Sequence, residues 1–478
     1  MQTTGPIPVA SFMRQCLTSD LGGYYTSHTP SPTDQFGTKG DFVTSPEISQ
    51  VFGELIGVWI VAEWIAQGRK ASGVQLMETG PGRGTLMSDV LRTIRNFPEL
   101  VKATETVYLV EASRNLRMAQ HKLLCGENEM KKCDVGYESK SKNLPAVKII
   151  WAEDVRFIPR DAEKTPFILA HEFFDALPIH VFQSVPSTPP SQEASNTIQT
   201  PTGPISAPDS RKQPQGNQWR ELVVSLVPPH RLKPGGPEFE LSLSKAVTPH
   251  SMYLPETSPR YRALHSTDGA TIEISPESQA YARDFAVRLG GSNPPPAVAK
   301  EAQPSLPKNS TEPPFRKSKP SGAALIIDYG PPNTIPTNSL RGIKSHKLLS
   351  SPFVSAGATD LSADVDFMAL AETAINSSPG VEVHGPIDQA AFLTAMGIEE
   401  RAAQLVKRAM QGGGGDAKGK EELTEVAKRI EGGVRRLVDR GPQGMGRLYK
   451  VMAIVPYAPV KPGESRRRPV GFGGDVKM

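Results

Sequence analysis

Apolar residues along the chain fall into two patterns. Short unbroken runs at Gly73–Glu78, Thr106–Glu111, Val147–Trp151, Phe167–Ala170, Ala323–Asp328 and Leu448–Val455 predict strands. Between them, Thr85–Ile94 and Ser113–Leu124 repeat at helical spacing. Runs without polar alternation, separated by helices, predict an α/β class with a mostly parallel sheet covered on both faces. Upstream, Ile48, Val51, Phe52, Leu55, Ile56 and Trp59 follow i, i+3, i+4, i+7 spacing, so Gly40 to Ala66 reads as an amphipathic helical cap. Ser45-Pro46-Glu47 and Ser275-Pro276-Glu277 each offer an N-cap, a proline in the first turn and an acid. Past the fifth run the text turns helical at Leu361–Ala374, Ile387–Met396 and Glu421–Val438.

Proline marks the breaks. Residues 186–214 hold seven prolines and residues 291–320 hold eight, of 45 in a 478-residue chain. Such stretches bury too little apolar surface to offset chain entropy, so insertions at 186–218 and 291–320 are expected to be disordered. The expected organisation is a cap (1–70), a core (71–355) carrying both insertions, a helical lobe (356–445), a closing strand (446–456) and a flexible tail (457–478).

Charge and cysteine content narrow the class. Lys plus Arg is 54 and Asp plus Glu is 50, a net charge of +4, and the one tight basic cluster, Arg466-Arg467-Arg468, reads as a solvated tail rather than a nucleic-acid face. Cys16, Cys125 and Cys133 make neither a CxxC pair nor an even set, which points to a reducing compartment. The histidines show no metal-ligand spacing, and no metal is expected. Val51 to Gly68, the most apolar stretch, is interrupted by Glu54 and Glu63, so no membrane span is expected.

The chemistry concentrates where the first strand turns into the first helix, at Glu78-Thr79-Gly80-Pro81-Gly82-Arg83-Gly84. Glycines there let backbone approach a ligand at a helix N-terminus. A dinucleotide fingerprint would need glycine at position 85, where Thr85 stands, and Glu78 would repel a pyrophosphate; both disfavour a nicotinamide-dependent oxidoreductase. Glu78 suits ammonium and sulfonium groups instead, and Glu111, ending the second strand, is placed to accept two ribose hydroxyls. Acid, Gly80-x-Gly82-x-Gly84 and acid form the arrangement expected for S-adenosylmethionine. Asp154, after the third strand, is a candidate for the adenine edge.

Several blocks carry a family resemblance: residues 40–54 (GDFVTSPEISQVFGE), the glycine loop, His171-Glu172-Phe173-Phe174-Asp175-Ala176-Leu177-Pro178, Ile327-Asp328-Tyr329-Gly330, residues 360–367 (DLSADVDF), His384-Gly385-Pro386-Ile387 and Met445-Gly446. In this order, from about residue 5 to 456, the chain resembles the mitochondrial protein arginine methyltransferases known as complex I assembly factor 7, with bacterial relatives. The resemblance implies a class I S-adenosylmethionine-dependent methyltransferase fold (Rossmann-like), with the cap and an additional helical lobe. It implies symmetric dimethylation of arginine on iron-sulfur subunit 2 of NADH:ubiquinone oxidoreductase during complex I assembly, in the mitochondrial matrix. Thr79 stands where Leu is more usual and His171 where Asn is common.

Methyl transfer to a guanidinium needs alignment more than prior deprotonation, which at pH 7 would cost about 7.5 kcal/mol. Paired carboxylates can grip the fork and expose one nitrogen, and Glu172 with Asp175 fit that role, Phe173 and Phe174 offering aromatic faces to the sulfonium. Asp41, Asp328 and His346 are candidates for the substrate mouth without an assigned step. Residues 1–19 hold one basic residue, Arg14, so either a presequence is absent from this chain or its start is internal. The competing reading is an S-adenosylmethionine-binding assembly chaperone without essential catalysis. The sequence leaves room for a homodimer.

Overall fold

The structure, a computed structural model, describes residues 5–19, 22–26, 44–187, 197–200, 203–206, 216–292, 315–411, 417–442, 444–460 and 466–474. Asp41 and most of both proline-rich stretches lie outside the described residues; within the first stretch, Thr197–Thr200 and Gly203–Ser206 pair as an antiparallel hairpin. The chain divides into two compact units, one of Arg14–Leu177, Glu277–Thr334 and Ser339–Met478, the other of Met1–Met13, Pro178–Pro276 and Ile335–Asn338.

The larger unit is built on strands β1 (Val74–Thr79), β2 (Thr104–Val110), β3 (Lys148–Ala152), β4 (Thr165–His171), β5 (Ala323–Tyr329), β6 (Val381–Asp388) and β7 (Tyr449–Pro456). Their order is β3-β2-β1-β4-β5-β7-β6, extended past β3 by Gly136–Lys140 and Lys131–Cys133. Strands β1 to β5 run parallel, and β7 is antiparallel to both β5 and β6. The apolar runs lack alternation because both faces are covered. Phe167 and Leu169 of β4 enter one core, while Ile168 and Ala170 enter the other. The α/β class and mostly parallel sheet read from the sequence are thus realised.

Three local expectations are corrected. Strand β6 lies inside the stretch read as a helical lobe. As the edge strand it is only half-buried, so its sequence carries no continuous apolar run. Helix α1 (Gln50–Ala66) is not amphipathic but buried nearly all round, since other helices cover its second side. The acids that gave it a polar stripe are paired instead: Glu54 Oε2 with Arg401 Nε at 2.8 Å, and Glu63, fully buried, with Arg467 at 2.5 Å. That second pair also anchors the C-terminal residues 466–474, where Phe472 packs on Phe392 with ring centroids 5.6 Å apart. The N-cap before Pro46 is Thr44 rather than Ser45, while helix Pro276–Gly290 begins where expected.

Helix α1 crosses the next helix, α2 (Thr85–Ile94), at close range. A Cβ added at Gly53 would lie 2.5 Å from that of Asp89, so only glycine permits this approach.

The smaller unit is an antiparallel sheet in the order Ile7–Pro8, Asn217–Leu226, His180–Pro186, Thr271–Ile274, with Phe239–Leu243 also pairing on Asn217–Leu226. Phe182, Trp219, Val224, Tyr261 and Ile272 are buried in it.

Candidate active site

Strand β1 sits where the strand order reverses, with β2 on one side and β4 on the other. A crevice at the carboxyl ends of such strands is where open α/β sheets bind ligands. A cavity of about 250 Å³ lies there, lined by Glu78 near the end of β1, Gly80 and Gly82 after it, Glu111 and Ser113 after β2, and Glu172 and Phe173 after β4. Thr44, Pro46 and Glu47 also line it, so the segment entering α1 forms part of its wall.

The loop owes its course to its glycines. Gly80, Gly82 and Gly84 have φ of +63°, +52° and +83°, left-handed values that favour glycine, and Gly84 is the N-cap of α2. At Gly80 space adds to conformation, because a Cβ would lie 2.7 Å from Phe173 Cδ2.

Glu78 and Glu111 both face this cavity. Burial pushes the Glu78 carboxyl up to about 8 against one backbone N–H bond from Met87, with Glu111 adding like charge. Its Oε2 is buried and has no hydrogen-bond partner among the described residues, so it presents an acceptor to a donor or cation in the cavity. Glu111 is raised to about 7 by burial, opposed by two bonds: Oε1 accepts the Ser113 N–H at 2.7 Å and Oε2 the Gln120 amide at 3.0 Å.

Gln120, on helix α3 (Arg114–Cys125), joins the site without a sequence signal beyond a polar residue on a helix. Its Nε2 donates to Gly82 O at 2.6 Å as well as to Glu111, and its Oε1 accepts the Trp151 indole N–H at 2.9 Å. One buried amide therefore ties the glycine loop, the acid after β2 and the end of β3. Asp154 is placed otherwise: it caps the turn Val155–Phe157, forms a two-point pair with Arg156 at 2.8 Å, and is absent from the cavity lining, to which its neighbour Glu153 contributes.

On the β4 side, Glu172 has φ +49°, uncommon for a residue with a side chain and a mark of functional sites when surrounding structure enforces it. Its N–H donates to Ile327 O at 3.0 Å, and its Oε1 accepts the Ser45 N–H at 3.4 Å. The Tyr449 hydroxyl also donates to its carboxylate, and Tyr449 is in turn bonded to the Tyr329 hydroxyl. Burial, and then the charge of Asp175, push Glu172 up to about 8. His171 is held neutral, burial lowering it to about 3, and its ring packs on Phe52 at 5.1 Å.

Asp175 is buried but not in the cavity wall; its Oδ2 accepts the Ser362 hydroxyl at 2.9 Å, and burial raises it. Asp328, at the end of β5, is fully buried, and its Oδ2 accepts N–H groups from Phe173 at 3.0 Å and Phe174 at 2.8 Å. His346 is exposed in the turn between Arg341–Lys344 and Lys347–Leu348, away from the cavity lining. Tyr449 and Tyr329 were not singled out by sequence reading, since each earns its place only through the partner strand.

A family model described as S-adenosyl-L-methionine-dependent methyltransferase matches residues 55–387. The mouse "Protein arginine methyltransferase NDUFAF7, mitochondrial" is 31% identical over 472 residues, covering 98% of this chain and 85% of that protein. The human protein of the same name is 30% identical over 470 residues (98% and 84%), and the Drosophila melanogaster homolog 31% over 456 residues (95% and 82%). Among solved structures, a Burkholderia thailandensis protein bound to S-adenosyl-homocysteine superposes with a TM-score of 0.61 at 19% identity, covering 99% of this chain and 90% of that one, which shows a shared fold.

Proposed function

The chain belongs to the protein arginine methyltransferase NDUFAF7 family of S-adenosyl-L-methionine-dependent methyltransferases, and from that premise we propose that it symmetrically dimethylates an arginine of iron-sulfur subunit 2 of NADH:ubiquinone oxidoreductase in the mitochondrial matrix. Its relatives are named as mitochondrial, and among the described residues no helix is long and apolar enough to cross a membrane. The observation that carries the reading is the presence, in one cavity, of the acid–glycine-loop–acid set and a third carboxyl, Glu172, its side chain 10% exposed, entering from the opposite strand.

When bound, S-adenosyl-L-methionine supplies an electrophilic methyl group on a sulfonium. Glu78, with its unpartnered oxygen, and Glu111 would hold the cofactor; Gly80 and Gly82, in the cavity wall, would let backbone approach it, while Gly84 lies outside the lining as the N-cap of α2. Glu172 would receive the substrate guanidinium. An incoming cation draws the raised carboxyl back to its ionised form, so that it accepts an N–H and orients one nitrogen toward the methyl group. Asp175 would act with it, repelling a second negative charge until the guanidinium arrives. Phe173, packed on Gly80, would exclude water between the two halves.

The test is incubation of the purified chain with the subunit and S-adenosyl-L-methionine, read by mass spectrometry for dimethylarginine, beside Glu172→Gln. Loss of methylation with subunit binding retained supports the reading. Subunit binding with no methylation by the intact chain, and unchanged complex assembly in cells carrying Glu172→Gln, would favour a holding role instead.

A further inference from the structure

The smaller unit contains a group of side chains that the methyl-transfer chemistry does not use. His180 opens the strand His180–Pro186, Glu221 lies on the neighbouring Asn217–Leu226, and His250 is on the short helix Pro249–Tyr253. In the antiparallel register Glu221 stands opposite Phe182, which puts it on the same face as His180, one diagonal step away. His180 Nδ1 is 2.7 Å from Glu221 Oε1, and His250 Nδ1 is 3.8 Å from Glu221 Oε2. The two imidazole centroids are 4.3 Å apart, and the donor atoms of all three residues lie within 4.8 Å of one another.

We propose that His180, Glu221 and His250 form a three-ligand site for zinc or a chemically equivalent divalent transition-metal ion. Two imidazole nitrogens and one carboxylate oxygen are the donors such ions take, whereas calcium and magnesium prefer sets of oxygens. A tetrahedral zinc with bonds of about 2.0–2.1 Å sets its ligand atoms roughly 3.3 Å apart. Each imidazole lies near a different oxygen of the carboxylate, His180 at 2.7 Å from Oε1 and His250 at 3.8 Å from Oε2, so a small rotation is needed to bring both nitrogens to that spacing from one oxygen. The adjustment falls on His250, whose side chain is half-exposed, and that same exposure gives the ion an entry path and room for a water as fourth ligand.

A simpler account is a hydrogen-bonded cluster that neutralises a fully buried carboxylate. That account needs only two partners: the His180 ring at 2.7 Å and the Thr248 hydroxyl, which donates to Glu221 Oε2 at 2.6 Å. It leaves His250 only a longer-range charge contact, at 3.8 Å from Oε2 and beyond hydrogen-bond reach. With an ion present, Thr248 becomes the outer partner that orients the ligating carboxylate, a regular feature of metal sites. Thr248 also accepts the Ser251 N–H at 3.1 Å as N-cap of the helix bearing His250, so the ion would fasten that helix to two strands. The residues are far apart in sequence, which is why no ligand spacing is visible along the chain. The proposal stands on the smaller unit alone and is independent of the methyltransferase assignment.

The test uses the full chain, free of any purification tag and stripped with a chelator, titrated calorimetrically with zinc chloride and spectroscopically with cobalt(II). The expected result is one equivalent of zinc bound, visible bands of four-coordinate cobalt, and a thermal midpoint raised by the metal. His250→Ala, at an exposed position, should keep the fold and lose the bound equivalent. Thr248→Val should weaken binding by about tenfold or more while retaining it, and Cys133→Ser should leave it intact. Failure of the intact chain to take up zinc overturns the proposal. So does an unchanged equivalent in His250→Ala, which would place the ion elsewhere.

Discussion

The Asp328 carboxylate, at the end of β5, holds the backbone N–H of Phe174 at 2.8 Å, and with it the turn that follows β4. The same oxygen accepts the Phe173 N–H at 3.0 Å, while Oδ1 accepts that of Tyr329 at 2.8 Å. Asp328 therefore acts through the segment carrying Glu172 and Phe173 rather than on substrate. Asp328→Ala should lower stability by about 1–3 kcal/mol, because buried N–H groups lose their acceptor, and Asp328→Asn should lower it less. Urea denaturation measures both; equal stability of all three proteins would refute the latch.

Gly80→Ala adds a Cβ at φ +63° and against Phe173. The left-handed conformation alone costs an L-residue about 1–2 kcal/mol, so cofactor affinity should fall about tenfold or more, as read by calorimetry.

The same cavity is sensitive to pH. Glu78 and Glu172 are raised to about 8 and Glu111 to about 7, from 4.5. Between the lower and upper values the folded chain retains protons that the unfolded chain has released. Stability of the ligand-free protein should thus be highest near the lower value and decline as pH rises through that window. Cofactor carrying positive charge favours the ionised acids, so its affinity should rise over the same range. Thermal midpoints and calorimetric affinities at about pH 6 and about pH 8 check both directions, and Glu78→Gln should flatten much of the affinity trend.

Tyr449→Phe removes a hydroxyl that helps hold Glu172 ionised. The rising limb of the methylation pH profile should move to higher pH with cofactor affinity unchanged. An unmoved limb would mean that Glu172 does not titrate in the reaction.

Gln120→Leu strips the acceptor from the Trp151 indole and the donor from Gly82 and Glu111. With buried partners left unpaired, a loss of about 1–3 kcal/mol is expected, together with weaker cofactor binding. Calorimetry beside a denaturant melt would separate the two effects.

What the chain alone determined is what short-range physics dictates. Apolar runs without alternation report strands covered on both sides, and glycine at 80, 82 and 84 reports backbone that other residues adopt only with strain. Glu78 and Glu111 were legible because each closes such a run, where side chains of an open sheet gather, and Glu172 because it follows the fourth run as one of two nearby carboxylates. Tertiary structure decided the partners. Gln120 reaches Gly82 across 38 residues, Tyr449 comes to Glu172 on an antiparallel strand from near the chain end, and Arg467 turns Glu63 from a polar stripe into a buried pair. Asp154 shows the converse: a local partner two residues away claims a side chain that position alone would assign to the cofactor. Periodicity and turn chemistry are properties of neighbours in sequence, whereas hydrogen-bond partners, burial and the pKa values they set arise only when distant elements pack together.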